Sequence, residues 1–141
     1  MGSERFPADD PREWLNRARS NLIRSNNLLP EVFLEDLCFD AQQAAEKAFK
    51  ALLLQRSVDF PRIHDLAELV NILERSGEEI PPGVREAGKL SRFAVFTRYP
   101  GLARPVEKEE HEEAVRIAEA VVSWVARRLS VLRAQAGSES D

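Results

Sequence analysis

The chain has 141 residues, the size of one ordinary domain and enough to bury a core without cross-links. Its 43% hydrophobic and 31% charged residues exclude a disordered chain, and its longest apolar run falls far short of the roughly 20 residues of a membrane span. A net charge of −4 argues against a general nucleic-acid binder without excluding a local basic cleft, and a single cysteine excludes an intrachain disulfide.

Residues 1–9 are polar and carry no signal-peptide pattern, so a flexible N-terminus and a cytoplasmic setting are expected. The first helix is predicted from Pro11 to about Leu29. Asp10 is its N-cap, Pro11 takes the first helical position, and Glu13 has the capping-box spacing. Trp14, Leu15, Ala18, Leu22 and Leu29 form its apolar stripe, and Arg12, Arg17, Arg19 and Arg24 make a partly basic outer face. Pro30 interrupts the pattern.

A second helix is predicted from Glu31 to Ser57. Leu34, Leu37, Cys38, Ala41, Ala45, Ala48, Phe49 and Leu52 form one buried face. Val32, Phe33, Phe39, Ala44, Ala51 and Leu53 add a second apolar surface, so this helix is central in a bundle or also meets another subunit. Cys38 falls on the apolar face and reads as an inert buried thiol.

Asp65 and Glu68 mark the start of a third helix with Leu66, Leu69, Val70 and Leu73 buried, and Ser76-Gly77 ends it. Pro81-Pro82-Gly83 turns the chain into a fourth helix, Val84 to Thr97, stopped by Pro100-Gly101. The last helix, Val106 to Arg133, repeats apolar residues at steps of three and four from Ala114 to Leu132. Its glutamates stand at the start and its arginines at the end, which suits the helix dipole. A disordered tail is expected over 134–141. Long helices with short connections predict an all-α, up-and-down antiparallel bundle of four to five helices over residues 10–133.

The common chemical motifs are missing. A di-metal carboxylate bundle needs Glu-x-x-His pairs, but Pro61 and Lys108 stand three residues before His64 and His111. There is no Walker loop, no dinucleotide fingerprint and no nucleophile elbow, so no metal or cofactor is expected. Two places could still hold an anion. His64 precedes a helix start, where its ring either closes the loop or faces a phosphate beside the first backbone amides. Arg98-Tyr99 is either a helix-end contact or an arginine and aromatic pair for a phosphate and a base.

Phe39-Asp40-Ala41-Gln42-Gln43-Ala44-Ala45-Glu46-Lys47-Ala48, continuing through Phe49-Lys50-Ala51-Leu52-Leu53, resembles the signature second helix of small prokaryotic HEPN-domain proteins. Phe60-Pro61 with His64-Asp65-Leu66, then Arg98-Tyr99-Pro100-Gly101 before an acidic last helix, resemble two further landmarks in the same order. The resemblance implies a helical bundle that forms homodimers, nucleotide binding, and pairing with a minimal nucleotidyltransferase in a toxin–antitoxin-like system. Members with ribonuclease activity carry an arginine, four to six residues, then a histidine, and Arg104 and His111 meet that spacing.

Two departures weigh against catalysis by this pair. Pro105 stands where active members carry a polar residue, and Glu107, Glu109 and Glu110 would repel an RNA phosphate. The leading expectation is therefore a non-catalytic module that binds a nucleotide, through His64, Arg98 and Tyr99, or a nucleotidyltransferase partner. The alternatives are a metal-independent ribonuclease toxin using Arg104 and His111, and a scaffold with no small ligand. The dimer is expected to form through Phe33, Phe39 and Leu53.

Overall fold

The computed structural model describes residues 4–96 and 105–139, and the described residues contain helices and no strand. Helix α1 spans Pro11–Ser25, α2 Leu34–Gln55, α3 Leu66–Arg75, α4 Pro82–Arg85, α5 Phe93–Phe96 and α6 Lys108–Glu139, with a 3₁₀ segment at Glu86–Leu90. None of the described helices is long and apolar enough to cross a membrane.

The Asp10 carboxylate caps α1 by accepting from the Arg12 amide at 2.9 Å. Glu13 does not close a capping box. Its buried carboxylate accepts from the Phe6 amide and from the Arg5 and Arg17 side chains, strapping the preceding segment onto the helix. Trp14 Nε1 donates to the Ala8 carbonyl and Asn16 to that of Glu4, so residues 4–10 lie against α1 where a flexible N-terminus was expected over 1–9.

Helix α1 stops at Asn26 rather than Leu29. Asn26-Asn27 favours a turn over helix, and Pro30 disfavours helical backbone at Leu29. Leu29 thereby leaves the stripe, and both Leu28 and Leu29 are exposed. A turn closed by the Val32 amide on the Leu29 carbonyl delays the start of α2 to Leu34.

Helix α2 is enclosed. Cys38, Ala41, Ala44, Ala45, Ala48, Phe49, Ala51, Leu52 and Leu53 have no exposed surface. The alanines let α1 and α6 approach closely, presenting Ala18 and Ala118 across the seams. Leu53, expected to face a partner, is core. Of the second apolar surface, Ala44, Ala51 and Leu53 are consumed within the chain, whereas Val32 and Phe33 precede the helix and stay exposed.

Helices α2 and α3 both end on left-handed residues. Ser57 (φ 56°) ends α2, with the Val58 amide donating to the Leu53 carbonyl. Gly77 (φ 112°) ends α3, with the Glu78 amide donating to the Leu73 carbonyl. A side chain at Gly77 would also meet Arg56 Nη2, 3.0 Å from the Cβ position. This turn drops Glu78 into the interior, where Arg56 Nη1 and Arg128 Nε each donate to its carboxylate at 2.7 Å. The ends of α2 and α3 are thus joined to α6.

The single helix expected over Val84–Thr97 is broken into α4, the 3₁₀ segment and α5. Gly88 weakens helix at its centre and lies so close to α3 that a Cβ there would stand 3.2 Å from the Ala67 Cβ. Ser91 Oγ accepts from the Leu66 amide and fixes the segment to the start of α3. Helix α6 continues to Glu139, past the boundary expected at Arg133.

Contacts fix the directions. Asn21 meets Lys47 while Arg24, further along α1, meets the earlier Asp40, so α1 runs antiparallel to α2. Glu35 accepts from the Val106 amide near the start of α2, and Glu78 links Arg56 to Arg128 near its end, so α6 runs alongside α2 in the same sense. The up-and-down order is kept by two irregular returns, residues 58–65 and 82–96.

Phe49→Ala should lower unfolding free energy by roughly 3–5 kcal/mol in urea titration, whereas exposed Val131→Ala should change it by about 0.5 kcal/mol or less. Hydrogen bonds from Arg5 and Phe6 hold Glu13 at a pKa of about 2, against an ordinary 4.5. Folding therefore weakens its proton binding, so its stabilising effect is complete above 4.5 and is lost as pH falls toward 2. Denaturant midpoints should drop over that window, and Glu13→Gln should flatten the drop.

Candidate functional site

Two polar layers flank the part of α2 that is not enclosed, where Gln43 and Lys47 are half-buried. The first layer faces His64. Glu46 is buried, and its carboxylate accepts from Gln42 Nε2 at 2.9 Å, Lys50 Nζ at 2.9 Å and His64 Nδ1 at 2.8 Å. Burial pushes the Glu46 pKa up, but the bonds from Gln42, Lys50 and His64 outweigh it and hold the group below its ordinary value. Lys50 Nζ also lies 5.8 Å from the centre of the Phe60 ring.

His64 is thus oriented by a buried carboxylate. Its side chain is 56% exposed, and donation through Nδ1 leaves Nε2 as the atom open to a ligand. The neighbouring helix start offers no free amides. The Asp65 carboxylate accepts from Ala67 N at 3.0 Å and Glu68 N at 3.4 Å, and Ser91 Oγ accepts from Leu66 N at 2.9 Å. A phosphate at His64 would have to bind the imidazole without that helix terminus. Arg98 and Tyr99, expected beside it, lie outside the described residues.

The second layer lies between α1 and α2. Asn21 Nδ2 donates to Asp40 Oδ1 at 2.9 Å, Lys47 Nζ donates to Asn21 Oδ1 at 2.8 Å, and Arg24 Nε pairs with Asp40 Oδ2 at 3.5 Å. One turn earlier Arg17 Nε donates to Glu13 at 3.0 Å. Burial, then the nearby Arg17 charge, lowers the Lys47 pKa. Sequence reading separated these residues, placing the arginines on an outer face and Lys47 in the signature. The spacing of Arg17, Asn21 and Arg24, which puts them on one stripe of α1, is the signal that could have joined them.

His111 sits in the interior, 4% exposed, with Nε2 donating to the Ser25 carbonyl at 2.7 Å. It satisfies one of the last carbonyls of α1 and ties that helix end to the first turn of α6. Its expected partner Arg104 lies outside the described residues. Nearby, the acidic start of α6 is engaged: Arg92 pairs with Glu110 at 3.2 Å, and Lys89 approaches Glu113 at 3.8 Å.

Cys38 is buried, and desolvation pushes its pKa up to about 12, which leaves it an unreactive thiol. Among the described residues no three His, Cys, Asp or Glu side chains are grouped to hold a metal.

The surplus apolar surface lies on the α1–α2 elbow. Ile23, Leu28, Leu29 and Phe33 are exposed, Phe33 by 73%, and Phe39 is half-buried. Beside them is an open groove of about 380 Å³ lined by Arg24, Leu29, Val32, Leu37 and Phe39 among others.

The HEPN domain family model matches residues 11–129. Among solved structures, TT1696 from Thermus thermophilus is 34% identical. It superposes with a TM-score of 0.71 over 83% of this chain and 96% of that one. ST0689, an archaeal HEPN homologue, is 24% identical and shares the fold at a TM-score of 0.67, over 85% of this chain and 98% of its own. No curated protein matches the chain.

Replacing His111 by Ala removes a buried hydrogen bond and leaves the Ser25 carbonyl without its donor. Thermal and urea unfolding should show a loss of about 1–3 kcal/mol. Unchanged stability would mean that the imidazole does not tie the two helices.

Proposed function

This chain belongs to the HEPN domain family, and on that premise we propose that it is a non-catalytic binding module. In this reading it acts as a homodimer that engages a nucleotide or a minimal nucleotidyltransferase, as one half of a cytoplasmic, toxin–antitoxin-like pair.

The observation that carries the non-catalytic reading is the environment of His111. A general acid or base must reach a substrate proton. This imidazole is 4% exposed and spends Nε2 on a backbone carbonyl. His64, oriented by Glu46 with Nε2 outward, supports the nucleotide arm. The exposed residues Leu28, Leu29 and Phe33 support protein contact at the elbow. The competing reading is a metal-independent ribonuclease toxin, in which Arg104 would stabilise phosphate charge and His111 would exchange a proton with a ribose hydroxyl.

Purified protein incubated with RNA in EDTA should leave it intact. ATP or GTP should raise the melting temperature, or a nucleotidyltransferase encoded beside the chain should co-purify with it. RNA degradation abolished by a folded His111→Gln variant would overturn the non-catalytic reading. Intact RNA with neither a nucleotide effect nor a partner would leave only a scaffold.

A further inference from the structure

Three cations meet on one side of the bundle, and the carboxylate partners of the two arginines among them lie beneath. Arg17 and Arg24 stand on the same stripe of α1, two turns or roughly 10 Å apart. Asn21 lies between them and holds Lys47 of α2 at 2.8 Å. The counter-ions Glu13 and Asp40 are almost wholly buried, with side chains 4% and 8% exposed, whereas those of Arg17 and Arg24 are 58% and 69% exposed.

The bonding pattern gives this layer a direction. Arg17 and Arg24 each use Nε toward the buried carboxylate. The terminal amino groups of each guanidinium are left for the solvent side, in the fork geometry that matches phosphate oxygens. Lys47 uses one of its three donors on Asn21. The inner ends of the cations are fixed, and fixed donors lose less freedom on capturing an anion.

We propose that Arg17, Arg24 and Lys47 form a binding site for a condensed phosphate group, the polyphosphate of a nucleotide; this rests on the nucleotide-binding arm of the proposed function.

Burial and Arg17 already make the Lys47 charge costly, and a bound polyanion would offset the Arg17 repulsion. The compact spread of the three cations suits a short polyphosphate. The net charge of −4 disfavours a long nucleic acid tracked by many phosphate contacts. His64 faces the solvent from the other flank of α2, across Gln43 and Glu46, so the two layers border one strip of that helix.

Calorimetric titration of the full chain with sodium tripolyphosphate and with ATP, at low and raised salt, tests the site. Arg17→Gln and Arg24→Gln should each weaken tripolyphosphate binding about tenfold, Lys47→Gln should weaken it comparably, and raised salt should weaken it further. Arg19→Gln, the same charge change at another exposed arginine of α1, should stay within about twofold. Melting temperatures near that of the parent chain would confirm that the variants fold.

Absence of tripolyphosphate binding at low salt would overturn the proposal. So would an Arg19→Gln effect equal to that of Arg24→Gln, or equal binding of polyglutamate, which would mark a surface for an acidic protein. Loss of ATP binding in His64→Gln with no effect of the arginine variants would keep the nucleotide reading and remove this site. Tripolyphosphate bound through these three residues while ATP is refused would keep the site and remove the nucleotide reading.

Discussion

Helix α2 lies enclosed by α1, α3, α5 and α6, and any charge it carries must be paired where it lies. Its alanines make the enclosure possible, because only small side chains let neighbouring helices come so close on several sides. The polar residues of the same helix then have few places to go. Asp40 turns to Asn21 and Arg24, Glu46 to Gln42, Lys50 and His64, and Lys47 to Asn21. Among the described residues no buried side-chain nitrogen or oxygen lacks a partner.

That constraint explains why the polar letters of the second helix accompany the alanines. Glu46 holds the loop before α3 through His64, and Asp40 with Lys47 holds α1 through Asn21. Removing one partner from either layer strands a buried group, which costs more than the bond itself. The same logic governs Glu78, whose two arginines come from helices distant in sequence. Three buried carboxylates with their neighbours therefore fix the relative positions of α1, α2, α3 and α6.

The layers also shape what the surface presents. With carboxylates buried and cations or an imidazole above them, the rim of α2 is polarised outward even though the whole chain is acidic. At the far end of the elbow the surface is apolar instead, because the early stop of α1 releases Leu29 from the stripe it was expected to join and leaves Leu28 exposed beside it. His111 belongs to neither surface, since its ring is committed to the end of α1.

Periodicity in the sequence determined the helical class, the enclosed α2, the buried stripe of α3 and the position of the long last helix, because a 3.6-residue pattern reports which face avoids water. The family was legible for a related reason: the small and polar residues that an enclosed helix needs are distinctive when they occur together. Tertiary structure decided what local pattern cannot carry. The break at Gly88 depends on Ala67 of another helix, and the burial of Leu53 depends on neighbours that cover both apolar faces of α2. The grouping of Arg17, Arg24 and Lys47, the pinning of His111 by Ser25 and the occupation of the α3 amides by Asp65 and Ser91 rest on single atoms meeting across the fold. Hydrogen bonds are directional and span a few ångströms, so their partners become defined only after packing has set the distances between helices.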